Sequence, residues 1–139
     1  MAVSLKAVHA SNALIKEAFP SGLVAVFVGA TAGIGEYTLL EFVKCAPRSR
    51  IYFIGRSEAD GARVKAECDR LNPHGSCSFL RKDISLMKNV DEVCREIKNK
   101  EEKINLLFMT QGTLDLTSSM FVIECSVPSI SMARLTLIT

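Results

Sequence analysis

A glycine-rich turn between an apolar run and a helical pattern constrains this chain more than any other stretch. Leu23-Val24-Ala25-Val26-Phe27-Val28 is continuous apolar sequence of strand length, the pattern of a strand buried on both faces in a parallel sheet covered by helices. Gly29-Ala30-Thr31-Ala32-Gly33-Ile34-Gly35-Glu36 follows at once. Without a Cβ, Gly29, Gly33 and Gly35 let other groups approach the backbone, while Ile34 can pack inward and the next residues continue as a helix. A helix entered this way starts with N–H groups that no carbonyl satisfies, and these suit a pyrophosphate.

Val28-Gly29-Ala30-Thr31-Ala32-Gly33-Ile34-Gly35 resembles the glycine motif of the short-chain dehydrogenases/reductases, whose usual first residue is threonine; Val28 departs from it. Its Gly-x-x-x-Gly-x-Gly spacing differs from the general Gly-x-Gly-x-x-Gly fingerprint, but both serve a nucleotide. The resemblance implies an α/β fold, a Rossmann-like three-layer αβα arrangement with a parallel sheet, of which this sequence holds the cofactor-binding portion. It covers residues 22–112, leaving an N-terminal helical segment (1–21) and a divergent tail (113–139). Within the motif it implies cofactor contacts from Gly29, Thr31, Ala32, Gly33, Ile34 and Gly35.

With 139 residues, 48% of them hydrophobic, and a formal charge of +2, the chain has the size of about one globular domain and no polyanion-binding signature. Nucleic acid is not an expected partner. The five cysteines, at positions 45, 68, 77, 94 and 125, are odd in number and lack close paired spacing, so free intracellular thiols are expected. His9 and His74 are far apart and no Cys-x-x-Cys occurs; no metal site is assigned. Neither a secretory signal nor a membrane-length apolar segment is present, and a cytoplasmic location is expected.

Residues 11–19 read as a short helix with Leu14, Ile15 and Phe19 near one face, covering the first strand and stopped by Pro20-Ser21-Gly22. After the glycine turn, Tyr37, Leu39, Leu40, Phe42 and Val43 give a helix ending near Ala46-Pro47, whose dipole would favour a phosphate at its start. Tyr37 is read as packing, since Glu41 stands where a catalytic Tyr-x-x-x-Lys pair would need lysine. Arg50-Ile51-Tyr52-Phe53-Ile54-Gly55-Arg56-Ser57 supplies a second buried strand and its carboxyl edge. An acidic residue there serves the ribose hydroxyls of NAD, whereas a cation serves a 2′-phosphate. Arg56, with Ser57 adding a hydrogen bond, therefore points to NADP(H) over NAD(H); the alternative for Arg56 is a solvated charge or an ion-pair partner.

Ser57 can also cap a helix in which Val64, Cys68 and Leu71 recur on one face, spacing that favours core over thiol chemistry. Residues 76–82 read as the third strand, followed by Asp83-Ile84. In the resembling family an aspartate here contacts the adenine amine with help from the next backbone group; capping near Ser85 is the other role open to Asp83. Residues 86–98 form a helical pattern, and Lys98-Asn99-Lys100-Glu101-Glu102-Lys103 reads as a solvated helix end. Residues 104–112 read as the fourth strand. Where family members carry Asn-Asn-Ala-Gly, this sequence has Met109-Thr110-Gln111-Gly112; only Gly112 survives, and the first asparagine's role cannot pass to Met109.

The family's catalytic serine and Tyr-x-x-x-Lys should follow, since the tyrosine proton helps the carbonyl accept hydride. No such motif exists: the last tyrosine is Tyr52 and residues 113–139 contain no lysine. Met120 to Val127 could form a strand, but a parallel neighbour normally needs a longer crossover than residues 113–119 provide. Truncation, or a reading-frame or splice change after Thr117, is the expectation. Two function classes remain. One is an NADP-dependent short-chain oxidoreductase, similar to fungal members acting on a small-molecule carbonyl or alcohol in secondary metabolism, catalytically incomplete as given. The other is a noncatalytic nucleotide-binding or interaction protein. An exposed fourth strand also predicts self-association.

Overall fold

The computed structural model describes residues 3–112, except the side chain of Lys16. Four strands, β1 (Val24–Val28), β2 (Arg50–Gly55), β3 (Ser76–Arg81) and β4 (Leu106–Met109), form one sheet in the order β3-β2-β1-β4. Every pairing is parallel. Consecutive parallel strands need crossovers, and these are helices α3 (Gly33–Cys45), α4 (Glu58–Leu71) and α5 (Met87–Lys100), numbered after the N-terminal α1 (Leu5–Ala13) and α2 (Ile15–Ala18).

The period of two along each strand sorts the side chains into two cores. On one face the register aligns Phe79, Phe53, Phe27 and Phe108 in a row across all four strands. Leu39 and Val43 of α3 and Val64 and Cys68 of α4 cover this face. On the other, Val24, Val26, Tyr52, Ile54 and Leu80 pack with Val93 and Ile97 of α5. The result is the three-layer αβα arrangement expected from the glycine motif.

Two local readings change. The N-terminal helix begins at Leu5, because the Ser4 hydroxyl accepts the Ala7 N–H at 3.2 Å and starts it earlier than the apolar pattern suggests. No residue of α1 is buried, and Leu14 is 60% exposed. Ile15 is half-buried and the Phe19 ring lies 6.1 Å from that of Phe42, but the core beside β1 is built with Leu39 and Val43 of α3 and not with this segment. Nor is residue 101 a solvated helix end: both Glu101 carboxylate oxygens accept from Arg50 at 2.8 Å, and Oε1 also accepts the Tyr52 hydroxyl at 2.8 Å. A polar run conceals this role because its partners lie in β2.

Among the described residues β4 is paired on one side only, to β1, and Leu107 is 41% exposed. The four described cysteines, Cys45, Cys68, Cys77 and Cys94, are free thiols. No helix among the described residues is long and apolar enough to cross a membrane. The readings placed on residues 113–139 lie outside the described residues.

Candidate cofactor site

Parallel strands bring their carboxyl ends to one edge, so the loops after Val28, Gly55, Arg81 and Met109 gather there. Gly29 turns the chain with φ +81°, and its N–H donates to the Ile54 carbonyl at 3.0 Å. A Cβ at Gly29 would lie 2.9 Å from the backbone nitrogen of Gln111, closer than side-chain carbons come, so this glycine admits the end of β4. Gly35 does the same for α3: a Cβ there would meet the Gly29 carbonyl oxygen and Thr110 Oγ1. The Thr110 hydroxyl lies 3.3 Å from both the Val28 and Gly29 carbonyl oxygens, which share its proton. Sequence reasoning passed over Thr110 because it was compared only with the family's asparagine.

Ala32 occupies the N-cap of α3 and supplies no side-chain cap. The first-turn N–H groups of the helix therefore have no capping oxygen from that residue, and the space beside Gly33 is open, with no heavy atom within 4 Å of a Cβ built there. Ile34 does not pack inward; it is 77% exposed, and Tyr37, read as packing, is 73% exposed. The reason is helix phase. Gly35, Leu39 and Val43 recur every four residues as the buried stripe, which turns Ile34 and Tyr37 outward beside the glycine turn.

At the end of β2, Gly55 makes room for Thr31, whose Oγ1 would be 2.9 Å from a Cβ at that position. Arg56 and Ser57 follow, both exposed. Ser57 caps α4 as expected, accepting the Asp60 N–H at 3.3 Å. Arg56 has neither an ion pair nor a side-chain hydrogen bond among the described residues. Its charge reaches Asp83, whose carboxyl is held below the usual range first by the Ser85 hydroxyl and N–H and then by Arg56. Asp83 accepts from Ser85 Oγ at 2.8 Å and Ser85 N at 3.1 Å, but it does not cap α5, whose N-cap is Leu86. Ile84 packs at the margin of the second core, while Gly112 is exposed at the end of the described chain. Buried Gln111 Oε1 accepts no hydrogen bond among the described residues.

One residue at this edge carried no sequence signal. Arg63, on α4, grips Glu36 in the first turn of α3 through Nη1 to Oε1 at 2.6 Å and Nη2 to Oε2 at 2.9 Å, and Nη2 also donates to the Thr31 carbonyl at 3.3 Å. This pairing holds the Glu36 carboxyl below its usual range. Among the described residues no three His, Cys, Asp or Glu side chains gather as a metal site.

No protein-family model matches the chain. It is 44% identical over 114 residues to the oxidoreductase AN1596 of Emericella nidulans, covering 82% of this chain and 34% of that protein. It is 28% identical over 123 residues to the short-chain dehydrogenase/reductase SAT2 of Stachybotrys chartarum, covering 78% of this chain and 34% of that protein. The chain thus spans about a third of the length of the curated relatives it matches. Among solved structures, L-sorbose reductase from Gluconobacter frateurii, complexed with NADPH and L-sorbose, superposes with a TM-score of 0.60 at 18% identity, over 73% of this chain and 38% of that one. The oxidoreductase yciK from E. coli superposes with a TM-score of 0.63 at 14% identity, over 71% and 40%. At these identities the structures speak for the fold, and the sequence relatives for descent.

Proposed function

We propose, on the premise that this chain belongs to the short-chain dehydrogenase/reductase family, that residues 22–112 bind NADP(H) for an oxidoreductase acting on a small-molecule carbonyl or alcohol. The observation that carries the reading is the joint placement, at one sheet edge, of the side-chain-uncapped start of α3 and the pair Thr31 and Arg56. Backbone N–H groups of the turn and first helical turn, around Gly29, Ala32, Gly33, Ile34 and Gly35, would take the diphosphate. Arg56, Ser57 and Thr31 would take a 2′-phosphate, Asp83 and Ile84 the adenine, and Gly112 would leave the backbone free beside the nicotinamide half. The nicotinamide, when bound, supplies or receives the hydride. NADPH in the sorbose reductase structure and NADP in that of Pseudomonas aeruginosa RhlG support this choice of cofactor. We extend it to secondary metabolism on the fungal source of the oxidoreductase relatives, and to the cytoplasm, where free thiols stay reduced.

Titration calorimetry with NADP(H) and NAD(H), before and after Arg56→Ala, tests the reading. A charge-assisted contact from an exposed arginine, discounted for solvent, should favour NADP(H) by about 1 kcal/mol, roughly fivefold. Arg56→Ala should erase that preference and leave NAD(H) affinity unchanged. Equal affinities in the parent chain would remove the argument.

A further inference from the structure

Glu36 poses an electrostatic problem. Its carboxylate sits in the first turn of α3, the end of a helix that favours anions, and it would repel the phosphates that the same turn is read to bind. Arg63 answers it. The guanidinium engages both carboxylate oxygens in parallel, and its bond to the Thr31 carbonyl fixes it between α4 and the glycine turn. The Glu36 side chain is 16% exposed and Arg63 55% exposed, so the arginine lies outside the acid and covers it. Planar two-point pairing of this kind belongs to arginine and not to lysine.

We infer that Arg63 is a positioning residue of the cofactor site: by neutralising Glu36 it keeps an uncompensated carboxylate away from the diphosphate, without itself contacting the ligand. The inference rests on the dinucleotide reading of the turn and adds to it a residue outside the glycine motif. Its effect differs in kind from that of Arg56. Arg56 discriminates between cofactors, whereas Arg63 acts on the part common to both.

Calorimetric titration of the full chain with NADP(H), NAD(H) and inorganic pyrophosphate separates these roles. Arg63→Ala should weaken all three by roughly five- to tenfold, the scale of one unscreened charge at a partly solvated site. Adding Glu36→Gln to Arg63→Ala should restore affinity to within about twofold of the parent, because neutrality and not the tie itself is what the phosphates sense. A purely structural tie predicts no such rescue. Glu36→Gln alone, the variant to rely on if Arg63→Ala does not fold, should bind at least as tightly as the parent. The role of Arg63 is overturned if the double variant stays as weak as Arg63→Ala, if Arg63→Ala binds like the parent, or if Glu36→Gln alone weakens binding. A parent chain that binds pyrophosphate but neither dinucleotide sinks the dinucleotide reading, and the pyrophosphate series still decides the role of Arg63. One that binds none of the three overturns both.

Discussion

The Tyr52 hydroxyl donates a 2.8 Å hydrogen bond to Glu101 Oε1, and the same carboxylate is held by Arg50 from the first residue of β2. Only 5% of the Glu101 side chain is exposed. The cluster fastens the end of α5 to the amino edge of the sheet, opposite the edge that carries the glycine turn. Replacing Glu101 by alanine leaves a part-buried phenol without its acceptor, and should destabilise the protein by about 1–3 kcal/mol. Glu101→Gln keeps an acceptor for Tyr52 and should cost less. Urea denaturation of the two variants checks the order.

The same cluster predicts two pH windows. Hydrogen bonding by Arg50 lowers the Glu101 pKa from 4.5; a carboxylate depressed in the folded state contributes stability above its unfolded pKa, and loses it as pH falls through the folded value. Burial, followed by the hydrogen bond to Glu101, raises Tyr52 from 10.0 to about 12. Its contribution is complete below the unfolded value and is lost as pH rises from about 10 to about 12. The stability gap between parent and Glu101→Ala should therefore narrow as pH falls below 4.5, down to what the uncharged carboxyl still gives Tyr52 as an acceptor. Above pH 10 the variant should lose less than the parent, because the carboxylate no longer opposes the phenolate. Parallel profiles would mean that the cluster is not linked to protons.

Gly61 lies against the ring of Phe79, where a Cβ would overlap ring carbons. Alanine is the better helix former by about 1 kcal/mol, but forcing a methyl into this contact costs about 1–3 kcal/mol. Phe79 sits in the row of four phenylalanines with its ring 5.1 Å from that of Phe53, so a methyl at position 61 must displace a packed ring. Gly61→Ala should lower the melting temperature in the parent and raise it, or leave it unchanged, in a Phe79→Leu background. Destabilisation of equal size in both backgrounds would count against the contact.

The four strands were readable because apolar runs carry them locally, and the phenylalanines at 27, 53, 79 and 108 lie on strands legible one by one; the order in which they pair is not a local property and came only with the structure. Helix phase at the site was harder. Counting back by fours from Val43 and Leu39 reaches Gly35, but a glycine leaves no hydrophobic mark, so in the sequence the neighbouring Ile34 reads as the inward residue. Arg63 and Glu101 were illegible for a different reason. Each reads as surface charge on its own helix or helix end, and acquires meaning only from a partner 27 and 51 residues away, respectively.

Pairing on one side leaves the β4 edge with free backbone donors and acceptors among the described residues, beside a 41% exposed Leu107. Such an edge accepts another strand. Light scattering across concentration should show association, reduced by Leu107→Lys, which places a charge on that strand. Monomeric behaviour throughout would mean that the edge is otherwise covered.

Binding and turnover should separate in these 139 residues. In the proposed reading the glycine turn holds the phosphates and Arg56 selects among them, but hydride transfer to a carbonyl also needs a proton donor placed at the reacting oxygen. Tyr37 and Tyr52 are the only tyrosines, and Glu41 and Arg56 stand four residues after them; Tyr52 is moreover committed to Glu101 at the opposite edge of the sheet. Its elevated pKa opposes the ionisation that a catalytic phenol needs near neutrality. The expected result is NADP(H) binding without measurable oxidation or reduction across a panel of alcohols and carbonyls, followed by nicotinamide absorbance. Activity should return in a chain extended by any downstream sequence encoding Tyr-x-x-x-Lys. Turnover by the 139 residues themselves, lost on substitution of Gly33 and so not a contaminant's, would place the proton donor elsewhere and refute this assignment.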